Sequence, residues 1–285
     1  MDKVDLNIIK ILLDNSKISY KDISDKVGLN YNSIRNRVKK MLDNGIIRYN
    51  ILINLVNFGY DIIHIMIKQV DDIESLINKI RLLGNVYILV KCINATYIIG
   101  IALKNRENSL ELVKALLDPL EPIIISYRTN SSIKLSQTQI RIIRYLLLKP
   151  SSSNKEIAFA LNISPKTVKR NLDYLINNAI IRFSMLLDPS KLESYINVGM
   201  IIRLNKNDDI NKIYQILQDN FLMKPIVYED IMLVILYTNN ISWIDECYRN
   251  IRNIGIKYIE ALIALDVKIS LDWFIDNLKS MIRER

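Results

Sequence analysis

The chain repeats itself. Leu29–Tyr49 (LNYNSIRNRVKKMLDNGIIRY) returns as Ile163–Phe183 (ISPKTVKRNLDYLINNAIIRF) at a constant offset of 134 residues. Each copy reads as a capped helix followed by a strand. Asn30 and Ser164 are good N-cap residues, because their side-chain oxygens accept an orphan backbone N–H of the first turn. Pro165 then occupies the first helical position, where its missing N–H costs nothing. Ile34, Val38, Met41 and Leu42 recur at helical spacing and define one apolar face. Gly45 ends the helix, since glycine tolerates the positive φ of a helix stop. The opposite face carries Tyr31, Asn32, Arg35, Asn36, Lys39 and Lys40, with Arg37 toward its edge and no carboxylate before Asp43.

What precedes each copy is equally regular. Asp2–Asn15 reads as a helix with Leu6, Ile9, Leu12 and Leu13 inward. Ser19–Asp22 resembles a capping box that opens a short helix to Val27, and Gly28 makes the turn. Helix, short helix, tight turn and helix is the helix-turn-helix arrangement, and the strand Ile46–Ile53 would make it winged. In the second copy Gln137–Lys149 starts the module. Ser153 caps Asn154–Leu161, and Asn162 stands where Gly28 stood, as a residue that tolerates positive φ.

The net charge of +9 is informative once it is divided. Residues 1–53 carry a net +4, 54–132 carry 0, 133–187 carry +7 and 188–285 carry −2. The excess sits in the two segments that hold the repeated helix, which is the footprint of polyanion binding by two small modules. Between and after them the pattern is β-α-β-β-α-β. Strands are expected at 61–69, 86–93, 96–103 and 122–127, and again at 196–204, 225–228, 231–237 and 257–265. Helices are expected at 72–83, 109–117, 209–221 and 242–254. That order predicts a ferredoxin-like sandwich, with helices on one face of an antiparallel sheet. A last amphipathic helix covers 271–281. The fold class is therefore α+β, with two winged helix-turn-helix domains (1–53 and 133–187) alternating with two ferredoxin-like domains (54–132 and 188–285).

No apolar run approaches the roughly 20 residues of a membrane span, and MDKVDLNII is not a signal peptide, so a cytoplasmic, nucleoid-associated protein is expected. Cys92 and Cys247 form no spaced cluster and read as reduced core fillers, which predicts no metal and no cofactor. The lone His64 has no partner His or Cys and reads as a packed or surface residue.

The residues Asp2, Asp5, Leu6, Ile8, Ile9, Leu12, Leu13, Asp14 and Ser19 are followed by Ile23, Ser24, Val27–Asn30, Arg35, Arg37, Val38, Met41, Gly45–Ile47 and Tyr49. In that spacing they resemble the Lrp/AsnC family of prokaryotic transcription regulators, departing at Asn30, where the family has serine. The resemblance covers nearly the whole chain as two tandem copies, strongest over 1–53. It implies sequence-specific binding to double-stranded DNA. Tyr31, Asn32, Ser33, Arg35, Asn36 and Arg37 would meet the major groove in copy one, and Lys166, Thr167, Lys169, Arg170 and Asn171 in copy two. Lys39, Lys40, Arg48 and Arg182 would hold the backbone. It also implies a homodimer through the ferredoxin-like domains, and amino-acid binding at a glycine and an aspartate between their second and third strands. The turns at 92–97 and 228–231 lack that glycine, and Asp230 fits the aspartate only loosely, so the amino-acid effector is doubtful.

These readings predict a DNA-binding transcription regulator and not an enzyme. Two alternatives differ in class. Sirohaem decarboxylases resemble this architecture and turn it to tetrapyrrole chemistry, for which one histidine and near-neutral sandwiches are a poor endowment. The other is a ligand- or protein-interaction module that does not touch DNA, against which the +4 and +7 charges weigh.

Overall fold

The computed structural model describes residues 1–104, 109–118, 120, 122–127, 133–205, 210–217, 220–228, 230–256 and 258–282. Each repeated module is three helices: α1 (Lys3–Asp14), α2 (Tyr20–Val27) and α3 (Tyr31–Asp43), then α6 (Gln137–Leu148), α7 (Asn154–Leu161) and α8 (Pro165–Asn177). The predicted stops form as the local chemistry requires. Asn30 accepts the Ser33 N–H at 2.9 Å and Ser164 that of Thr167 at 3.0 Å. Gly28 (φ 74) and Asn162 (φ 53) both turn left-handed between the second and third helices. The segment 130–134 (NSSIK), which reads as a linker before the second module, lies partly outside the described residues, which resume at Ile133.

The strand after each third helix has an unforeseen partner. β1 (Ile47–Ile53) pairs antiparallel with β6 (Ile181–Leu187), its own repeat. The register is diagnostic: Asn50 faces Ser184, the residue 134 positions on. A strand can face its own repeat at one position only if a two-fold axis passes through that pair. Flanking bonds obey the same relation, with Asn54 N–H donating to Ile180 O at 3.0 Å and Asp188 N–H to Ile46 O at 2.9 Å.

The sandwiches have the expected order. The first is β2 (Tyr60–Ile67), α4 (Ile73–Arg81), β3 (Asn85–Cys92), β4 (Tyr97–Lys104), α5 (Ser109–Leu117) and β5 (Ile123–Tyr127). The second is β7 (Ile196–Arg203), α9 (Ile210–Leu217), β8 (Ile226–Tyr228), β9 (Ile231–Thr238), α10 (Ile241–Asn253) and β10 (Tyr258–Ile269). They join edge to edge into an eight-stranded sheet, β5-β2-β4-β3-β10-β7-β9-β8. β10 runs to Ile269, beyond the predicted Leu265, because Ala264–Ile269 pair with β3 of the other copy. The sheet also curls over. Lys68 Nζ lies 2.8 Å from Glu260 although β2 and β10 are three strand spacings apart, about 14 Å in a flat sheet. Met66, Cys92 and Ile125 of one half accordingly share a buried cluster with Ile201, Ile231 and Leu262 of the other.

The copies are packed crosswise. The first module shares its core with Leu192, Leu222 and Tyr237 of the second sandwich. The second module shares its core with Tyr60, Ile62 and Ala102 of the first. The final helix α11 (Asp272–Met281) closes that second junction. Phe274 and Leu278 are fully buried there, and Phe274 meets Phe58 edge-on at 4.9 Å. The two sandwiches of one chain thus pair with each other through β3 and β10.

Candidate nucleic-acid interface

α3 and α8 leave their polar faces uncovered. In α3, Tyr31, Asn32, Arg35, Asn36, Lys39 and Lys40 are exposed, Ser33 is half-buried, and Ile34, Val38 and Met41 hold the helix in the core. In α8, Lys166, Lys169 and Arg170 are exposed, and Val168, Leu172 and Leu175 are buried. Arg48, just past the first helix, is exposed on the ribbon. The hydrogen-bonding tip and the cations are therefore free to meet a polyanion.

Three of the sequence-derived candidates are engaged elsewhere. Arg37 reaches back to the start of α1, its Nη1 2.8 Å from both Asp2 and Asp5. Donating hydrogen bonds to those carboxylates, Asp5 first, raises its already high pKa. Asn171 stands at the same repeat position and is also turned in, 8% exposed, donating to Thr167 O at 2.8 Å. The Thr167 hydroxyl lies 2.9 Å from that of Ser164, within the helix cap. Arg182, the counterpart of Arg48, is likewise exposed on the ribbon and lines a groove against the second sandwich. Periodicity alone puts 37 and 171 at the edge of the polar face. The two carboxylates at the N-terminus were the available clue that 37 would turn inward.

Two features escaped the sequence reading. Tyr20 stands beside Tyr31, ring centroids 6.0 Å apart. Burial raises its hydroxyl pKa to about 12, the Tyr49 hydroxyl adds to this and Arg35 opposes it. Tyr20, Tyr31 and Tyr49 thus make an aromatic shelf next to Arg35. The second feature is Lys17, whose ammonium donates to the carbonyls of Ser152 at 2.6 Å and Ser151 at 3.3 Å. Ser151 is the residue 134 positions on, so this contact also lies by the two-fold axis. Burial lowers the Lys17 pKa. A symmetric pair would oppose two ammonium groups here, whereas lysine against serine carbonyls gives a satisfied contact. The repeat offset was the signal for it.

The other candidates are structural. His64 is half-buried, its Nε2 2.6 Å from the Tyr87 hydroxyl, and loss of solvation pushes its pKa down to about 4. Gly100, its register partner, admits the Tyr87 ring: a Cβ there would lie 2.9 Å from ring atoms. Cys92 and Cys247 are buried thiols pushed up to about 11 by burial. Asp230 lies 3.5 Å from Arg203, and the first-sandwich turn is made by Asn94 and Ala95, both at positive φ, without a glycine. No group of three metal-ligating side chains occurs among the described residues, and no described helix is long and apolar enough to cross a membrane.

The model of the winged helix-turn-helix DNA-binding family matches residues 1–48 and again 135–182. Each of the two modules is thus similar to the winged helix-turn-helix DNA-binding family. Over its full length it is similar to siroheme decarboxylase NirDL, at 14% identity and TM-score 0.53, covering 99% of this chain and 100% of that one. The same enzyme in co-complex with an iron-uroporphyrin III analogue matches at 14% identity and TM-score 0.53, over 97% and 99%. An AsnC family transcriptional regulator from Agrobacterium tumefaciens matches 48% of this chain and 94% of its own, at 22% identity and TM-score 0.31. No curated protein sequence matches. The architecture is thus the expected tandem of winged modules alternating with ferredoxin-like sandwiches. The expectation that the chain is not an enzyme is corrected: its full-length structural likeness is to an enzyme. At 14% identity that likeness carries the fold and leaves the activity open.

Proposed function

We propose that the chain is a sequence-specific regulator that binds double-stranded DNA in the nucleoid and presents both recognition helices to one duplex. The observation that carries this reading is the ribbon centred on Asn50 and Ser184. It relates the two modules by a two-fold axis inside one chain, the relation by which dimeric helix-turn-helix proteins engage two half-sites. The contact set is Tyr31, Asn32, Ser33, Arg35, Asn36, Lys39, Lys40 and Arg48 from copy one, with Lys166, Lys169, Arg170 and Arg182 from copy two. Arg37, Thr167 and Asn171 leave it for the reasons given above. Because the helices differ, the two half-sites are unlike. One chain supplies the pairing assigned above to a homodimer, and the binding unit is a single chain. Gel-shift titration against the protein's own promoter region tests the proposal. A complex is expected at low salt, with affinity falling steeply as salt rises because phosphate contacts release counterions. Folded protein that gives no shift at low salt ends it.

The full-length likeness to a decarboxylase supports a second reading, binding of a tetrapyrrole. The chain has a single imidazole, His64, held neutral by burial beside Tyr87. An absorbance titration with iron uroporphyrin III decides: a saturable, one-to-one spectral shift supports this reading, and an unchanged spectrum removes it.

A further inference from the structure

We infer that the groove between the first module and the second sandwich binds a small organic anion with an aromatic or apolar body. Its volume is about 490 Å³, within the range of small-molecule sites. Three segments line it: α1 with Lys10 and Asp14, the start of β6 with Arg182, and the second sandwich with Tyr214, Lys224 and Ile226. Three cations thus face one carboxylate. Arg182 and Lys224 have no ion-pair partner among the described residues. Lys10 is held with its ammonium 4.7 Å from the centroid of the Tyr237 ring.

The wall between these cations is apolar and uncovered. Tyr214 is 38% and Ile226 49% exposed, and the Tyr214 ring lies 5.4 Å from that of Phe221. Cations around an open aromatic wall select an anion that also has surface to bury: a carboxylate or sulfonate gains charge-assisted hydrogen bonds while its ring covers Tyr214 and Ile226. In the other copy Arg144 stands at the position of Lys10, with its Nε buried. A ligand in the groove touches the first module, the ribbon and the second sandwich together, so its binding steadies the first module on its support. This site stands independently of the DNA reading.

The test is a fluorescence titration of the full chain with 8-anilinonaphthalene-1-sulfonate, an aromatic anion. It is paired with N-phenyl-1-naphthylamine, the same ring system without the charge. Saturable one-to-one binding of the anion is expected, with the neutral analogue at least about tenfold weaker. Lys224→Glu and Arg182→Glu should each weaken the anion about tenfold or more, the scale of one charged hydrogen bond. Equal affinity for both probes overturns the inference. So does unchanged affinity in both variants, or binding that never saturates at one equivalent.

Discussion

The two helix-turn-helix modules share one frame and fill it differently. In both, the third helix opens on a capped residue, buries three aliphatic side chains and ends in a left-handed residue before the ribbon. The exposed tips diverge. Copy one has the shelf of Tyr20, Tyr31 and Tyr49 beside Arg35. Copy two has Asn154, Pro165 and Phe183 at those positions, with Lys169 in place of Arg35. The inward residue is an ion-paired Arg37 in one and a self-bonded Asn171 in the other. The frame is held where the axis passes and where the core is dry, and freedom is left to the surface that would meet a ligand. Copy one therefore has the more varied hydrogen-bonding tip, and copy two has the larger net charge.

The supports of the two modules differ most. Only the second is closed by α11, through Phe274. Phe274→Ala should cost about 3–5 kcal/mol, the range for a buried aromatic truncated to alanine. Amide exchange should show the loss in α6–α8 and α11, with α1–α3 little changed. Equal loosening of both modules would break the contrast.

The next effect belongs to the first sandwich alone, where His64 faces Gly100; the second has Gly199 facing Ile235 in the matching place. Burial holds the folded His64 pKa near 4 against an ordinary 6.5. The unfolded chain therefore takes up the proton first as pH falls. Stability from this group is full above pH 6.5, falls between 6.5 and 4, and levels off below. The loss is on the order of 3 kcal/mol. Urea unfolding across that range should show the decline, and His64→Phe should flatten it.

Arg35→Ala and Arg170→Ala should each weaken specific DNA binding by about 1–3 kcal/mol if they contact bases. Discrimination among sequences should fall mainly with Arg35, and overall grip mainly with Arg170. Competition binding with point-mutated half-sites separates the two. Specificity that follows Arg170 would reverse the assignment.

The smallest effects have opposite signs at one repeat position. Gly45 and Ala179 both sit at positive φ. Ala179→Gly should stabilise by about 1 kcal/mol by removing the left-handed penalty on a Cβ. Gly45→Ala should destabilise by about as much or more, since its Cβ would lie 2.7 Å from Lys191 Nζ. Thermal unfolding of both variants reads the signs.

Whatever is local was legible in the sequence: the caps at Asn30 and Ser164, the turns at Gly28 and Asn162, the order of each sandwich and the confinement of positive charge. The crosswise packing and the β3–β10 join were not, because they depend on contacts between copies that no short window contains. That is why β10 was expected to stop at Leu265. The ribbon was half-legible, since a strand paired antiparallel with its own repeat must centre on one residue and its counterpart. For the candidate site, periodicity placed the exposed tip correctly, and it could not see Arg37 drawn to Asp2 and Asp5. Counting histidines was a weak ground for excluding an enzyme, because composition does not constrain what a shared architecture can host.

The most direct measurement counts chains and half-sites together. Hydroxyl-radical footprinting on a defined high-affinity fragment would be combined with the mass of the complex. One chain per duplex should protect two unlike half-sites on the same face, centred about one helical turn, or roughly 34 Å, apart. Protection of a single half-site by each bound chain would contradict the two-fold relation as the basis of binding.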